Sequence, residues 1–184
     1  ALAGGRTLHA DSTQSLLRAC QTAQPGDIIL LHAGTYRGPF ECTKSGQPGQ
    51  PIVFRSAGDG EAVLEADGPD GKSAIVSLGG THYLMFENLT FRRAQRAIYA
   101  GKPGSVGLVV RRCKIQEVVY GISTYSEQSR DWYIADNEIV GINKTWYPRP
   151  EAYMSPGHTG VNAYGQGHVV CHNRITRFSD AMAL

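Results

Sequence analysis

The sequence lacks the features that define several large classes of protein. It contains no run of about 18 apolar residues, so no transmembrane helix is predicted. It has 18 lysines and arginines against 16 acidic residues, and a net charge of +2 is too small to favour nucleic-acid binding. Its four cysteines include no close pair of the kind that holds zinc: Cys20, Cys42, Cys113 and Cys171. We therefore expect neither nucleic acid nor membrane as a partner, no metal site and no evident cofactor.

Charged residues are also scarce, at 18%, whereas glycine and proline are abundant, with 22 and 9 copies. Frequent glycine and proline interrupt helices and favour short strands joined by turns. With 41% hydrophobic residues, a chain of 184 residues can bury a large core. These proportions exclude a disordered chain and predict a single all-β domain over 1–184, or the N-terminal part of a longer one.

One segment, 12–23, predicts an α-helix. Ser12 and Thr13 offer capping oxygens, Leu16 and Cys20 fall at helical spacing, and Pro25 ends the segment. From residue 26 the pattern changes to short apolar runs bounded by Gly, Pro and Asp, which predict strands at 27–31, 52–54, 62–64 and 74–76.

From residue 83 onward the strands repeat. Phe91 and Ile115 are 24 residues apart, as are Ile115 and Ile139, and Ile175 follows after one more period and 12 extra residues. The same spacing aligns a second column, Leu89, Cys113, Asn137 and Asn173. A repeat of this length without intervening helices is typical of a solenoid whose coils pair in parallel. We predict a right-handed parallel β-helix over 26–184, with the helix at 12–23 covering its first coil.

Around residues 24–91, three stretches resemble the N-terminal coils of the β-helical polysaccharide lyases that include chondroitinase B and alginate lyases. The stretches read AQPGDIILLHAGTY, GQPGQPIVFRSAGDGEAVLEADG and THYLMFENLTF. The resemblance covers less than half of the chain and implies a β-helix fold, an acidic polysaccharide as substrate and, as a family property only, calcium. No stretch matches the catalytic lysine and arginine or the calcium ligands of that family. No catalytic residue is therefore transferred, and the coils that carry them can be absent from this chain.

The 12 extra residues fall in 143–159, which reads NKTWYPRPEAYMSPGHT. Loops can leave a solenoid without disturbing its stack, and functional residues often collect on them. Aromatic rings stack on sugar faces, and basic groups pair with carboxylates. The candidate substrate-binding residues are therefore Trp146, Tyr147, Arg149 and Tyr153. The candidate catalytic residues, none of them supported by a motif, are Lys144, Arg149, His158 and Tyr164. The alternative interpretation of 143–159 is a packed lid whose aromatic rings stabilise the fold.

Several charged residues fit a structural role. Two outward columns place opposite charges on neighbouring coils, and we interpret them as salt-bridge ladders rather than a metal site: Lys114, Glu138 and Arg174 in one, and Arg112, Asp136 and His172 in the other. The cluster of Arg92, Arg93 and Arg96 either neutralises a polyanion or forms a solvated face.

Two functional hypotheses follow. In the first, the protein acts on acidic polysaccharide by β-elimination: a cation screens the uronate carboxylate, a base removes the C5 proton and an acid protonates the leaving oxygen. In the second, it is a non-catalytic β-helix that binds glycan or acts as a structural spacer.

Ala1-Leu2-Ala3 has the small-x-small form that precedes a signal-peptidase cut, which fits a secreted, periplasmic or extracellular protein, although a cloning scar or chance explains it equally well.

Two expectations concern the thiols and the last coil. Cys113 should point inward and Cys171 outward, so they should not pair, whereas Cys20 and Cys42 could meet. The sequence stops at Leu184 within a predicted strand and without a polar cap. We therefore expect either further polypeptide or association with another chain to cover the last coil.

Overall fold

The structure is a computed structural model that describes residues 5–143 and 158–184. Helix α1 spans Thr13–Thr22. The strands, in chain order, are β1 (Thr7–Ala10), β2 (Ile28–Leu31), β3 (Gly34–Arg37), β4 (Phe40–Glu41), β5 (Ile52–Ser56), β6 (Ala62–Gly68), β7 (Ala74–Ser77), β8 (Leu84–Glu87), β9 (Thr90–Ala100), β10 (Val109–Arg111), β11 (Lys114–Thr124), β12 (Tyr133–Ala135), β13 (Glu138–Gly141), β14 (Thr159–Ala163), β15 (Val169–Cys171), β16 (Arg174–Thr176) and β17 (Asp180–Ala183).

The strands stack into two parallel sheets. One contains seven strands in the order β1-β2-β5-β8-β10-β12-β15, so that each coil contributes one strand. The other follows the order β16-β13-β11-β9-β6-β3 and is extended by β14 with β17 and by β4 with β7. The chain is therefore the all-β parallel β-helix that the repeat predicts, with one helix at its N-terminal end.

The register of the sheets confirms the 24-residue repeat. Phe91 pairs with Ile115, Ile115 with Ile139, and Ile139 with Ile175, across four successive coils. The first three of these side chains are completely buried. Identical inward positions on neighbouring coils thus form one continuous apolar core, whose burial is the main favourable contribution to folding.

A sharp corner joins the two sheets in each of these coils. Asn88, Arg112, Asp136 and His172 all adopt the left-handed conformation, with φ between 53° and 57°. Asn, Asp and His tolerate this conformation better than most residues, which explains three of the four. The next residue along the chain points inward, and there Asn137 accepts a hydrogen bond from the Cys113 backbone N–H at 2.9 Å. Asn137 and Asn173 thus hold backbone groups at this corner through their side chains.

Helix α1 covers the first coil. Ser12 is its N-cap, and a capping box with Ser15 satisfies backbone donors of the first turn. Leu16, Ala19 and Cys20 are its buried residues. Among the described residues, no helix combines the length and hydropathy needed to cross a bilayer.

The predicted charge ladders are only partly correct. Arg174 pairs with Glu138 at 3.3 Å and His172 lies 3.9 Å from Asp136. Arg112, however, turns to Glu87, whose buried carboxylate also pairs with Arg55 and Arg111 at 3.3 and 2.8 Å. The prediction failed because a buried carboxylate needs charged partners more than an exposed aspartate does.

Candidate functional site

Two outward columns lie side by side on the long strands of the second sheet. In one, Tyr99 of β9 pairs with Ser123 of β11, and Ser123 pairs with Asn162 of β14. In the other, Arg96 pairs with Tyr120. We call the surface formed by Arg96, Tyr99, Tyr120, Ser123 and Asn162 the Arg96 face.

Arg96 is the cationic centre of this face. Its guanidinium carbon lies 4.8 Å from the ring centroid of Tyr120 and 5.1 Å from that of Tyr99. Its side chain also donates a hydrogen bond to the amide oxygen of Gln95. The ion pairs of the described residues do not include Arg96, and its Nε atom is buried without a hydrogen-bond partner. Arg96 therefore retains the capacity to pair with an anion.

Two further polar atoms of the Arg96 face have no hydrogen-bond partner in the part of the chain that the structure describes. Ser123 Oγ and Asn162 Oδ1 are buried without a hydrogen bond, and the two residues are only 1% and 6% exposed. Leaving a buried polar atom unpaired costs about 1–3 kcal/mol, so such atoms are rare in structures unless they serve another purpose.

Two of the candidate catalytic residues border this face. The His158 ring stacks on Tyr120, with centroids 5.2 Å apart and planes 10° from parallel. The backbone N–H of His158 bonds to the Val119 carbonyl at 2.9 Å, which fixes the start of β14 beside β11. Tyr164 lies near Tyr125, with ring centroids 6.0 Å apart and both rings a little under half exposed. The remaining predicted site residues, Lys144, Trp146, Tyr147, Arg149 and Tyr153, fall outside the described residues.

A groove continues the site beyond Tyr125. It has a volume of about 710 Å³ and is lined by Lys102, Pro103, Tyr125, Ser126, Glu127 and Gln128. Partial burial, together with the nearby Tyr120, raises the pKa of the Tyr125 phenol. The groove thus places the exposed cation of Lys102 and the phenol ring of Tyr125 next to the Arg96 face.

Sequence reasoning treated Arg92, Arg93 and Arg96 as one cluster, and the structure separates them. Arg92 pairs with the buried Glu65 at 3.2 Å, and Arg93 is exposed at a left-handed position. Only Arg96 points to the aromatic surface. The sequence does show that Arg96 and Tyr120 are one repeat apart and therefore align. It does not show that Arg96 lacks a carboxylate partner among the described residues.

The described residues contain no cluster of three or more His, Cys, Asp or Glu side chains able to hold a metal ion. They do not fit the calcium site that the lyase resemblance implies. No step of the function proposed below uses a metal.

The chain shares its architecture with carbohydrate-degrading β-helix enzymes. No family model matches it. It is 35% identical to pectate lyase L of Dickeya chrysanthemi over 77 residues, 38% of this chain and 18% of that protein. The solved alginate lyase from Paenibacillus sp. str. FPU-7 is 22% identical with a TM-score of 0.71, over 93% of this chain and 58% of that one.

A mannuronic acid specific polysaccharide family 6 lyase from human gut microbiota is 17% identical, with a TM-score of 0.57, over 96% of this chain and 51% of that one. These similarities define the class of fold as a lyase-like parallel β-helix. The chain spans less than two thirds of the length of each of these proteins, and their activities are not transferred to it by the fold.

Proposed function

We propose that this protein acts on an acidic polysaccharide by β-elimination and that the uronate carboxylate binds at the Arg96 face. The observation that carries the proposal is the guanidinium of Arg96, held over Tyr99 and Tyr120 and lacking a carboxylate partner among the described residues. A planar guanidinium binds a carboxylate through two parallel hydrogen bonds, and aromatic rings beside it stack on sugar faces.

The chemistry requires three roles. A base removes the C5 proton of the uronate, the bond between C4 and its oxygen breaks to leave a double bond, and an acid protonates the departing oxygen. Negative charge develops on the carboxylate during proton removal, and Arg96 is placed to stabilise it. Tyr120 and His158, stacked together beside Arg96, are the side chains that can transfer protons there.

Further contacts support a polymeric ligand. Ser123 and Asn162 continue along the stack from Tyr99, and their unpaired oxygen atoms, which are covered in this structure, would bind sugar hydroxyls once the groups above them move aside. The groove beside Tyr125 adds Lys102 as a second cation. Successive uronate units can therefore meet positive charge at two points of the surface.

The second candidate is a non-catalytic glycan-binding module. The half-exposed Tyr125 and Tyr164 rings, next to an open groove, favour it because stacking on sugar requires no proton transfer.

Both candidates place the protein outside the cytoplasm, in the periplasm or the surroundings of the cell, because a charged polymer does not cross a membrane unaided. Fractionation of cells that express the gene from its natural start tests this location.

The proposed activity is tested with polymannuronate, polyguluronate, polygalacturonate and chondroitin sulfate, each with added calcium and with a chelator. Ultraviolet absorbance detects the unsaturated uronate product, and a parallel titration measures binding. Binding with product formation supports the lyase, binding without product supports the module, and absence of both contradicts the proposal.

The matched variants are Arg96→Ala and Arg174→Ala. Both remove an arginine from the second sheet, but Arg174 is exposed and already paired with Glu138. We expect Arg96→Ala to weaken binding about 10- to 100-fold, the range for a charge-assisted hydrogen bond, and Arg174→Ala to change it less than about twofold. Equal losses in the two variants would mean that only the overall charge matters.

A further inference from the structure

Two buried thiols lie side by side where the capping helix meets the β-helix. Cys20 is on the buried face of α1, Cys42 follows β4, and their Sγ atoms are 3.7 Å apart. They are 3% and 2% exposed.

The backbone around both residues is fixed in contact. The Thr43 N–H donates to the Cys20 carbonyl at 3.2 Å, so the helix and the chain after β4 are directly hydrogen bonded. The Cys42 N–H donates to the Ser77 carbonyl of the neighbouring coil at 2.9 Å. These hydrogen bonds hold the two cysteine-bearing segments next to each other.

We propose that Cys20 and Cys42 form a disulfide bond in the mature protein and that this bond fastens the capping helix to the first coils. A disulfide has an S–S length of about 2.05 Å, so the two sulfur atoms, now 3.7 Å apart, have to approach by roughly 1.6 Å. The reaction breaks two S–H bonds and forms one S–S bond. Its two electrons and two protons pass to an oxidised disulfide, either a small molecule or an oxidoreductase, which is reduced to two thiols.

Such a bond would add to the capping box and the buried face that already hold the helix in place. The helix is ten residues long, and isolated helices of that length are marginal in water. A cleft of about 420 Å³ runs beside its C-terminal end, between residues 21–25 and the pair Lys44 and Ser45. Lys44 is two residues beyond Cys42, so the disulfide would close the helix against the coil next to this cleft.

The environment of the thiols sets the time at which the bond forms. The hydrogen bond with Cys20 and the burial of the side chain both raise the pKa of the Cys42 thiol well above its usual value. Because the thiolate is the reactive form, the docked pair reacts slowly. Because Cys42 is also only 2% exposed, we expect the disulfide to form faster before α1 covers Cys42 than afterwards.

The other two cysteines provide internal controls. Cys113 is buried, where loss of hydration raises the pKa of its thiol to about 12, and its nearest polar neighbours are backbone carbonyls. Cys171 is partly exposed, 4.0 Å from the Tyr133 hydroxyl. The structure therefore keeps Cys113 and Cys171 apart, as the sequence predicts, and both should remain thiols.

Peptide mapping of the unmutated chain tests the proposal directly. The reduced, unfolded protein is refolded in a mixture of reduced and oxidised glutathione, then unfolded in denaturant at low pH to stop thiol exchange, alkylated under denaturing conditions and digested with trypsin. We expect peptides 19–37 and 38–44 to be linked until reductant is added, with Cys113 and Cys171 alkylated. Alkylation of all four cysteines, or a linkage that includes Cys113 or Cys171, would overturn the proposal.

Stability measurements add a second readout. A disulfide that closes a loop of this size should raise the Tm of the oxidised chain by about 6–12 °C over the reduced chain. The difference should vanish in Cys20→Ser/Cys42→Ser and persist in Cys113→Ser. If the double variant still loses that much Tm on reduction, another pair of thiols is responsible. The test does not involve polysaccharide, so its outcome is independent of the proposed function.

Discussion

The guanidinium carbon of Arg96 lies 4.8 Å from the centre of the Tyr120 ring. The ring of His158 stacks on the same tyrosine, with the two ring centres 5.2 Å apart. Tyr120 therefore contacts both the permanent cation of Arg96 and the imidazole ring of His158. Among the described residues, Arg96 differs in this from Arg55, Arg92 and Arg111, whose guanidinium groups pair with buried carboxylates.

Two substitutions of Tyr120 separate the role of its ring from that of its hydroxyl. Tyr120→Leu removes the cation–π contact and the stacking platform, and we expect polysaccharide binding to weaken about 2- to 30-fold. Tyr120→Phe keeps both contacts, so binding should stay within about twofold of the original.

Product formation by Tyr120→Phe reveals whether the hydroxyl transfers a proton. If it does, the rate should fall by a factor of about 100 or more while binding is retained, because proton transfer by a positioned side chain contributes on that order. Unchanged rates would assign the proton transfer to His158. Stronger loss of binding in Tyr120→Phe than in Tyr120→Leu would contradict the ring-platform interpretation.

The repeat could be predicted because successive coils place the same kind of residue at the same inward position, as Phe91, Ile115 and Ile139 do. Short strands outside the regular repeat were harder to find. β1 and β3 were missed because Thr7–Ala10 and Gly34–Arg37 each bury only one residue, so neither has a clear apolar pattern.

The site was less predictable than the core. Most of the predicted site at 143–159 lies outside the described residues, and of its named residues only His158 is described, where its ring stacks on Tyr120 of the Arg96 face. The roles of the arginines could not be read from the sequence, because Arg92 finds its partner Glu65 in the less regular coils before the repeat. Whether an arginine is paired depends on these distant neighbours, so Arg96 could not be singled out.

The close approach of the second-sheet strands depends on glycine at position 121. A Cβ atom at Gly121 would lie 2.2 Å from the Gly160 carbonyl oxygen and 2.9 Å from a methyl of Ile139. Gly121→Ala should therefore destabilise the fold by about 1–3 kcal/mol. Gly79→Ala is the matched control, because a Cβ there meets nothing within 4 Å and its φ is not positive.

Urea denaturation of the two glycine variants measures these effects. A loss in Gly79→Ala as large as in Gly121→Ala would show that glycine content, rather than close packing between β11 and β14, sets the stability.

Two asparagines on neighbouring parts of the stack should respond in opposite ways to alanine. Asn137 accepts from the Cys113 N–H and donates to the Val110 carbonyl at 2.9 Å, so Asn137→Ala should cost about 1–3 kcal/mol. Asn162 has a buried oxygen without a partner, so Asn162→Ala should be near neutral or stabilising.

The two variants also differ in their expected binding. Asn162→Ala should weaken polysaccharide binding while Tm is kept, because the Arg96 face loses a hydrogen-bonding group. Thermal unfolding and a binding titration on the same samples check both outcomes. A strongly destabilised Asn162→Ala would mean that this side chain holds the fold together rather than serving a ligand.

The carboxylate of Asp27 ties the start of β1 to the segment that follows α1. It accepts hydrogen bonds from the Arg6 guanidinium at 2.6 Å, from the Arg6 backbone N–H at 2.8 Å and from the Gln24 N–H at 2.9 Å. Burial alone would raise the pKa of Asp27, but these hydrogen bonds and the charge of Arg6 outweigh it, so the pKa is lowered.

The lowered pKa fixes the direction of the pH dependence. An aspartate whose pKa is lower in the folded state than the unfolded value of about 3.9 stabilises the fold fully above that value. The contribution is lost as the pH falls from about 4 through the lower folded pKa. Asp27→Asn should therefore be less stable than the original chain at pH 7, with a difference that is constant down to about pH 5 and shrinks in more acidic buffer.

Asp70→Asn, which alters an exposed carboxylate outside the ion pairs of the described residues, should follow the original chain throughout. Unfolding free energies from urea titrations at several pH values decide the matter: a difference between Asp27→Asn and the original chain that grows toward acid would reverse the predicted sign and contradict the assigned role of Asp27.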